Sequence, residues 1–207
     1  MNKFPWYIFI IFLFFCSCMN YSSFQTAKVL DKHEQSMTAA YSRIYNNNSE
    51  SIDYLNNFLF MGRYGLGHKF DAGMGLTLTY PFSTALSGDI KYQLLREPFQ
   101  FAVDLGMTYS GFIFMPKSSG MLIVHPMVIA GTEHFYFAYK YNFGKIFSDL
   151  LVGSESGGFS TIHLGLSLGR NIKLIPEFSW HMQESASPLL VPGLGICVNL
   201  PLTGFTK

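Results

Sequence analysis

The stretch Phe99-Gln100-Phe101-Ala102-Val103-Asp104-Leu105-Gly106-Met107-Thr108-Tyr109-Ser110 decides the fold. Phe99, Phe101, Val103, Leu105, Met107 and Tyr109 share one parity. Gln100, Ala102, Asp104, Gly106, Thr108 and Ser110 share the other. Successive side chains of a β-strand point to opposite faces, so a period of two held this long specifies a strand with one apolar and one polar face. Phe70, Ala72, Met74, Leu76, Leu78 and Tyr80 alternate in the same way with Lys69, Asp71, Gly73, Gly75, Thr77 and Thr79. Ile162, Leu164, Leu166 and Leu168 alternate with His163, Gly165, Ser167 and Gly169, and Leu190 to Leu200 repeats the pattern around Gly193 and Gly195.

Extending this reading gives about ten strands, near 35–45, 54–64, 68–79, 85–95, 98–110, 119–131, 133–142, 158–169, 171–182 and 189–200, with eight as the other count. Most have the length a tilted strand needs to cross a bilayer. Tight turns at Gly65-Leu66-Gly67, Arg96-Glu97-Pro98, Gly131-Thr132 and Arg170-Asn171 alternate with longer segments at Asn46–Asp53, Pro81–Thr84, Gly111–Ser118, Phe143–Gly157 and Gln183–Pro188. Short turns at one end and long loops at the other mark outer-membrane barrels, whose short turns are periplasmic. The fold class expected is all-β, a small antiparallel transmembrane barrel over 35–207.

Alternation alone would also fit a soluble, lipocalin-like barrel with its apolar face turned inward. The polar parity separates the two. Exposed to water it should be rich in Lys and Glu; instead it is dominated by Gly73, Gly75, Gly106, Gly165, Gly169, Gly193, Gly195, Ser, Thr and Ala. Small residues suit the cramped interior of a narrow barrel. The apolar parity is bulky, and Tyr80, Phe99, Tyr109, Phe135, Tyr139, Tyr141, Phe178 and Trp180 are placed to form interfacial girdles. Only 13% of the 207 residues are charged while 17% are aromatic, too little charge to cover a soluble surface. The net charge is +1, without a basic run, which removes the electrostatic basis for nucleic-acid binding.

The N-terminus reads as an export signal. Lys3 precedes ten consecutive apolar residues, Trp6 to Phe15, then Cys16-Ser17-Cys18. Ten residues suit a signal core and are too few for a membrane-spanning helix. A cysteine directly after such a core marks a lipoprotein, in which acyl (palmitate-type) chains on the new N-terminal cysteine anchor the chain. Residues 1–17 are therefore expected as the leader and Cys18 as the acylated residue, with Cys16 the other choice. Residues 18–34, polar and without periodicity, read as a lipidated tether. Both chain ends fall at the short-turn end, hence periplasmic, where the lipid would enter the inner leaflet. Cys197 then has no disulfide partner.

Cys18 followed by Ser22-Ser23-Phe24-Gln25-Thr26-Ala27-Lys28, running into a barrel pattern, resembles uncharacterised outer-membrane β-barrel lipoproteins of diderm bacteria. The resemblance implies a location and an architecture, and no reaction.

On the inward parity stand Arg63, Lys69, Lys91, Lys140 and Lys173 with Asp71, Asp89, Asp104 and Glu177. Buried charges must be paired. This set reads as an interior charge network, with Asp104 expected to meet Arg63 or a lysine. The sequence carries no Cys/His metal spacing, P-loop or dinucleotide fingerprint, so neither metal nor cofactor is expected. A Ser–His or His–carboxylate pair at a barrel rim, for example His181 with Ser179 or Glu177, would have hydrolase chemistry, but nothing in the spacing selects it over a structural role. The function read from the residues is a structural or surface-interaction role, with membrane lipid as partner, external loops available to a surface ligand and the oligomeric state open. The alternative is a lipid-modifying hydrolase or acyltransferase with its site at the external rim.

Overall fold

The protein is described by a computed structural model covering residues 23–46, 53–80, 83–112, 119–148, 156–182 and 188–200. Ten strands close into one antiparallel barrel: β1 Gln35–Asn46, β2 Asp53–Gly67, β3 Phe70–Tyr80, β4 Ser83–Leu95, β5 Gln100–Phe112, β6 Ser119–Gly131, β7 Phe135–Ser148, β8 Ser156–Leu166, β9 Ile172–Met182 and β10 Leu189–Leu200. Each strand pairs with its sequence neighbours, and β1 closes the ring against β10 with Gln35 opposite Leu200. Closure leaves no free edge, as hydrocarbon requires.

The faces follow the sequence parity. Leu105 is 61% exposed and Asp104 beside it 4%. Met74, Tyr80, Leu86, Ile90, Phe99, Tyr109, Phe178 and Ile196 face outward, while Asp71, Lys91, Thr108, Thr161, His163 and Glu177 are buried inside. An apolar outer wall around a polar lumen is the inverse of a soluble barrel. It is the architecture of a transmembrane β-barrel.

Several boundaries differ from the sequence expectation. β7 continues through Ser148 and β8 begins at Ser156, so the connection is 149–155 rather than Phe143–Gly157. The β3–β4 connection is only 81–82, so the alternation of short and long links has an exception at that end. The tight turn after β2 lies at His68 and Lys69, both in the left-handed region (φ 51° and 70°). Parity is not carried through such a turn, and Lys69 is exposed rather than inward.

Three prolines lie within strands, and each opens one ladder only. The N–H and C=O of a strand residue face the same neighbour, so a missing N–H harms one side. Pro126 pairs with Leu105 of β5, but on its other side the β6–β7 rungs stop at Val124–Phe143 and resume at Met127–Lys140. Pro176 pairs with Leu194, while the β8–β9 rungs stop at Gly165–Glu177. Pro192 pairs with Phe178, while the β1–β10 rungs end at Ser42–Gly193.

Leu105 lies mid-strand on the outer wall, so Leu105→Arg should destabilise the barrel by about 2–4 kcal/mol, the midplane cost of a cation. Urea unfolding in detergent or liposomes, followed by heat-modifiable gel migration, measures this. Leu105→Ala should stay folded, whereas a soluble barrel would lose its core on that change.

Candidate functional site: the occupied lumen

Part of the stretch expected as a tether, from Ser23 to Leu30, lies inside the barrel, while Asp31, Lys32 and His33 are exposed at its rim. Ser23, Phe24, Gln25, Ala27 and Val29 are all buried. The backbone polar groups of an extended segment need partners once water is excluded, and inward side chains supply them. Val29 N–H donates to Gln93 Oε1 (3.4 Å) and Leu30 N–H to Asp71 Oδ2 (3.1 Å). Lys91 Nζ donates to the carbonyls of Thr26 and Lys28, both at 3.0 Å. Gln25 Nε2 donates to Asp104 Oδ2 (3.3 Å). At the deepest described point Glu177 accepts from Ser23 N–H (2.8 Å), Ser23 Oγ (2.9 Å) and Phe24 N–H (2.8 Å).

Among the described contacts the inward charges meet in two clusters. Toward the short-turn end Arg63 donates to Asp71, contacts Asp89 at 2.6 Å and lies 3.9 Å from Asp104; Lys91 lies 3.5 Å from Asp71. Gly73 makes the space: a Cβ there would sit 2.7 Å from Asp89 Oδ2 and 2.8 Å from Arg63 Nη1. Mid-barrel, Glu177 bonds Tyr136 Oη and lies 3.2 Å from His163 Nδ1. Lys140 is buried inside the lumen as well. Lys69 joins neither, because its turn carries it outside. Lys173 is half-buried at the mouth, lining a cavity of about 600 Å³ with Lys28, Glu34 and Arg170.

Other inward glycines also seat particular side chains. Tyr136 lies over Gly165, its register partner, and Phe24 covers Gly193 and Gly195, where a Cβ would approach its ring to 2.6 and 3.0 Å. Sequence reasoning left out Ser23, Phe24, Gln93, Tyr136 and His163 as partners. For Tyr136 and His163 the signal was present, since strict parity from Phe135, Phe137 and Ile162 turns both inward. For Ser23 and Phe24 there was none, because the segment has no period.

The arrangement does not match nucleophilic catalysis. His181 Nδ1 lies 3.0 Å from Thr161 Oγ1, and Ser179 and Glu177 instead meet His163. A base-activated serine needs the hydroxyl and the carboxylate on opposite ring nitrogens. Here Ser179 Oγ (2.8 Å) and Glu177 Oε1 (3.2 Å) face the same Nδ1. The cluster is fully buried, with Ser23 closing it. Its chemistry is to hold the threaded chain.

No protein-family model matches the chain, and no curated protein matches it. Solved structures do. The chain is similar to the N-terminal β-barrel domain of Pseudomonas aeruginosa OprF (11% identity, 83% of this chain and 100% of that one, TM-score 0.39). It is similar to the Escherichia coli outer membrane protease OmpT (9%, 86% and 98%, 0.38) and to Ail, the attachment invasion locus protein of Yersinia pestis (11%, 82% and 99%, 0.33). Likeness at this level carries no inference about activity. The closed ring and its apolar wall define the class: a ten-stranded β-barrel of the outer-membrane type.

Glu177→Ala should strand the donors of Ser23, Phe24 and Tyr136 and cost about 3–5 kcal/mol, the range for breaking a buried charged pairing. Glu177→Gln keeps an acceptor and should cost less. Amide hydrogen exchange over residues 23–30 should rise in the order wild type, Gln, Ala.

Proposed function

We propose that the protein is a non-enzymatic outer-membrane lipoprotein with a structural or surface-interaction role. The leader is 1–17, Cys18 carries the acyl chains, the short turns face the periplasm and the longer connections face outward, where a surface ligand would meet them. The observation that carries this reading is the occupied lumen. Residues 23–30 run through the polar interior and take their hydrogen bonds from its side chains, which supports a plugged lumen rather than an open pore where that segment lies. The role proposed draws on the wall, which meets lipid, and on the long-loop end. The Ser154 region, within the 149–155 connection, lies outside the described residues and is the longest link at that end.

Two experiments test the reading. Metabolic labelling with an alkyne fatty acid should mark the wild type and not Cys18→Ser; equal labelling of both removes the lipid assignment, and loss only in Cys16→Ser moves it. In planar bilayers the purified wild type should not conduct, while a variant with residues 23–30 replaced by a short Gly-Ser linker should give steady ion conductance. Equal conductance of the two would mean that the segment does not seal the lumen.

A further inference from the structure

The threaded segment does not fill its end of the barrel evenly. From Gln25 to Leu30 its hydrogen bonds go to Asp71 of β3, Lys91 and Gln93 of β4 and Asp104 of β5. Only at Ser23 and Phe24 does it cross to β9 and β10, where Glu177 holds its backbone and Phe24 covers Gly193 and Gly195. Below that crossing lies the cavity of about 600 Å³, whose barrel wall comes chiefly from β2, β1, β10 and β9.

Register orders that wall into rows. Met61, Thr38, Cys197 and Lys173 are successive cross-strand partners, so their inward side chains form one row from β2 to β9. One row deeper stand Ala40, Gly195 and Ile175, with the Phe24 ring over Gly195. One row nearer the mouth stand Arg63, Ser36 and Asn199, and the N–H of Asn199 donates to the Asn171 carbonyl (2.8 Å). The floor of the cavity is therefore apolar, from Phe24 and Ile175, while its β9 side and mouth carry Lys173, Arg170 and the amides of Asn171 and Asn199.

The charges decide what such a cavity takes. Each carboxylate that lines it already has a donor. Lys28 meets Glu133 at 3.4 Å, Arg96 meets Asp31 at 4.0 Å, and Asp31 N–H donates to Glu34 (2.9 Å). Asp71 is taken by Arg63 and Lys91. Those contacts also use Lys28, Arg63 and Lys91. Lys173 and Arg170 have no partner among the described residues. Arg170 is exposed, as an unpaired surface cation can be, but Lys173 is half-buried. It stands three strands from Arg63, and Glu177, four residues along β9, is held by Ser23, Phe24, Tyr136 and His163. Partial burial of an ammonium without a counter-ion costs solvation that a bound anion would offset.

We propose that this cavity is a binding site for a small organic anion, a carboxylate or phosphate on a compact apolar body, entering at the short-turn end. Its charge meets Lys173 and Arg170, and its body rests on Ile175 and Phe24. The volume lies in the range of small-molecule sites, which pair an apolar lining with a few placed polar groups. The site is separate from the wall and the long loops on which the proposed role rests, so either reading can fail alone.

The test uses the full chain purified in a neutral detergent, with para-fluorobenzoate as the probe and fluorine NMR line broadening as the readout. The matched cation para-fluorobenzylamine reports partition into the micelle, and heat-modifiable migration verifies that each variant folds. The expected result is saturable binding of the benzoate and none of the benzylamine. Lys173→Gln should weaken binding about tenfold, the loss of one contact to a charged group, while Lys173→Arg keeps it. Thr38→Phe, which fills the middle row, should abolish it; Ser36→Phe serves if that variant does not fold. The phosphate arm is phenyl phosphate, expected to displace the benzoate, whereas inorganic phosphate at the same concentration should not. Absence of saturable binding overturns the proposal, as does equal binding by wild type and Lys173→Gln or equal binding of the benzylamine. Displacement by inorganic phosphate makes this a site for a bare anion and overturns the organic class. Binding that appears only after removal of residues 201–207 means that the chain itself occupies the cavity, and the proposal falls.

Discussion

Arg63 sits among Asp71, Asp89 and Asp104 inside a wall whose outer surface faces hydrocarbon, and it has no route to bulk water except along the lumen. A charge in that position must find its partners within the barrel. Most of what distinguishes this molecule follows from that requirement. Gly73 is bare because the Arg63–Asp89 pair occupies the space above it. Lys91, one residue row away, turns to the backbone carbonyls of the threaded segment. Glu177 gathers the N–H groups of Ser23 and Phe24. The segment and the lumen charges satisfy one another.

The same reciprocity explains why the interior is made of small residues. A narrow barrel is expected to fill itself with side chains, but here the filling is specific. Phe24 lies on Gly193 and Gly195, Tyr136 on Gly165, and His125 on Gly106. Each glycine is a seat for one identified ring, so the glycine-rich parity reflects pairing between elements rather than a general shortage of room. The strand prolines show the complementary economy. Each sacrifices the rungs on one side while keeping those on the other, so the ring stays closed while three seams are loosened locally.

The serine, histidine and carboxylate that a search for hydrolase chemistry would single out are brought together, but for a different end. Ser179 and Glu177 converge on one nitrogen of His163, and Ser23 completes the cluster from the threaded chain. Proximity alone does not make a catalytic set; the side of the imidazole that each partner occupies does. In this barrel the geometry binds a peptide segment of the protein itself.

The strands, the inward and outward faces and the small-residue lining were legible in the amino-acid sequence, whereas the choice of ten strands over eight was decided by the closed ring. They rest on period two, and parity needs no long-range information. Arg63, Asp71, Asp89, Lys91, Asp104, Lys140 and Glu177 were legible as inward residues for the same reason. Lys69 was misplaced because a left-handed two-residue turn breaks parity. Which inward charges meet was decided only by the closed ring, since register and tilt bring Arg63 to Asp71 and set Glu177 apart with Tyr136 and His163. The path of residues 23–30 was beyond sequence reasoning altogether. An extended, aperiodic segment draws its hydrogen bonds from partners as far away as Asp104 and Glu177, and those partners share a neighbourhood only once all ten strands have closed.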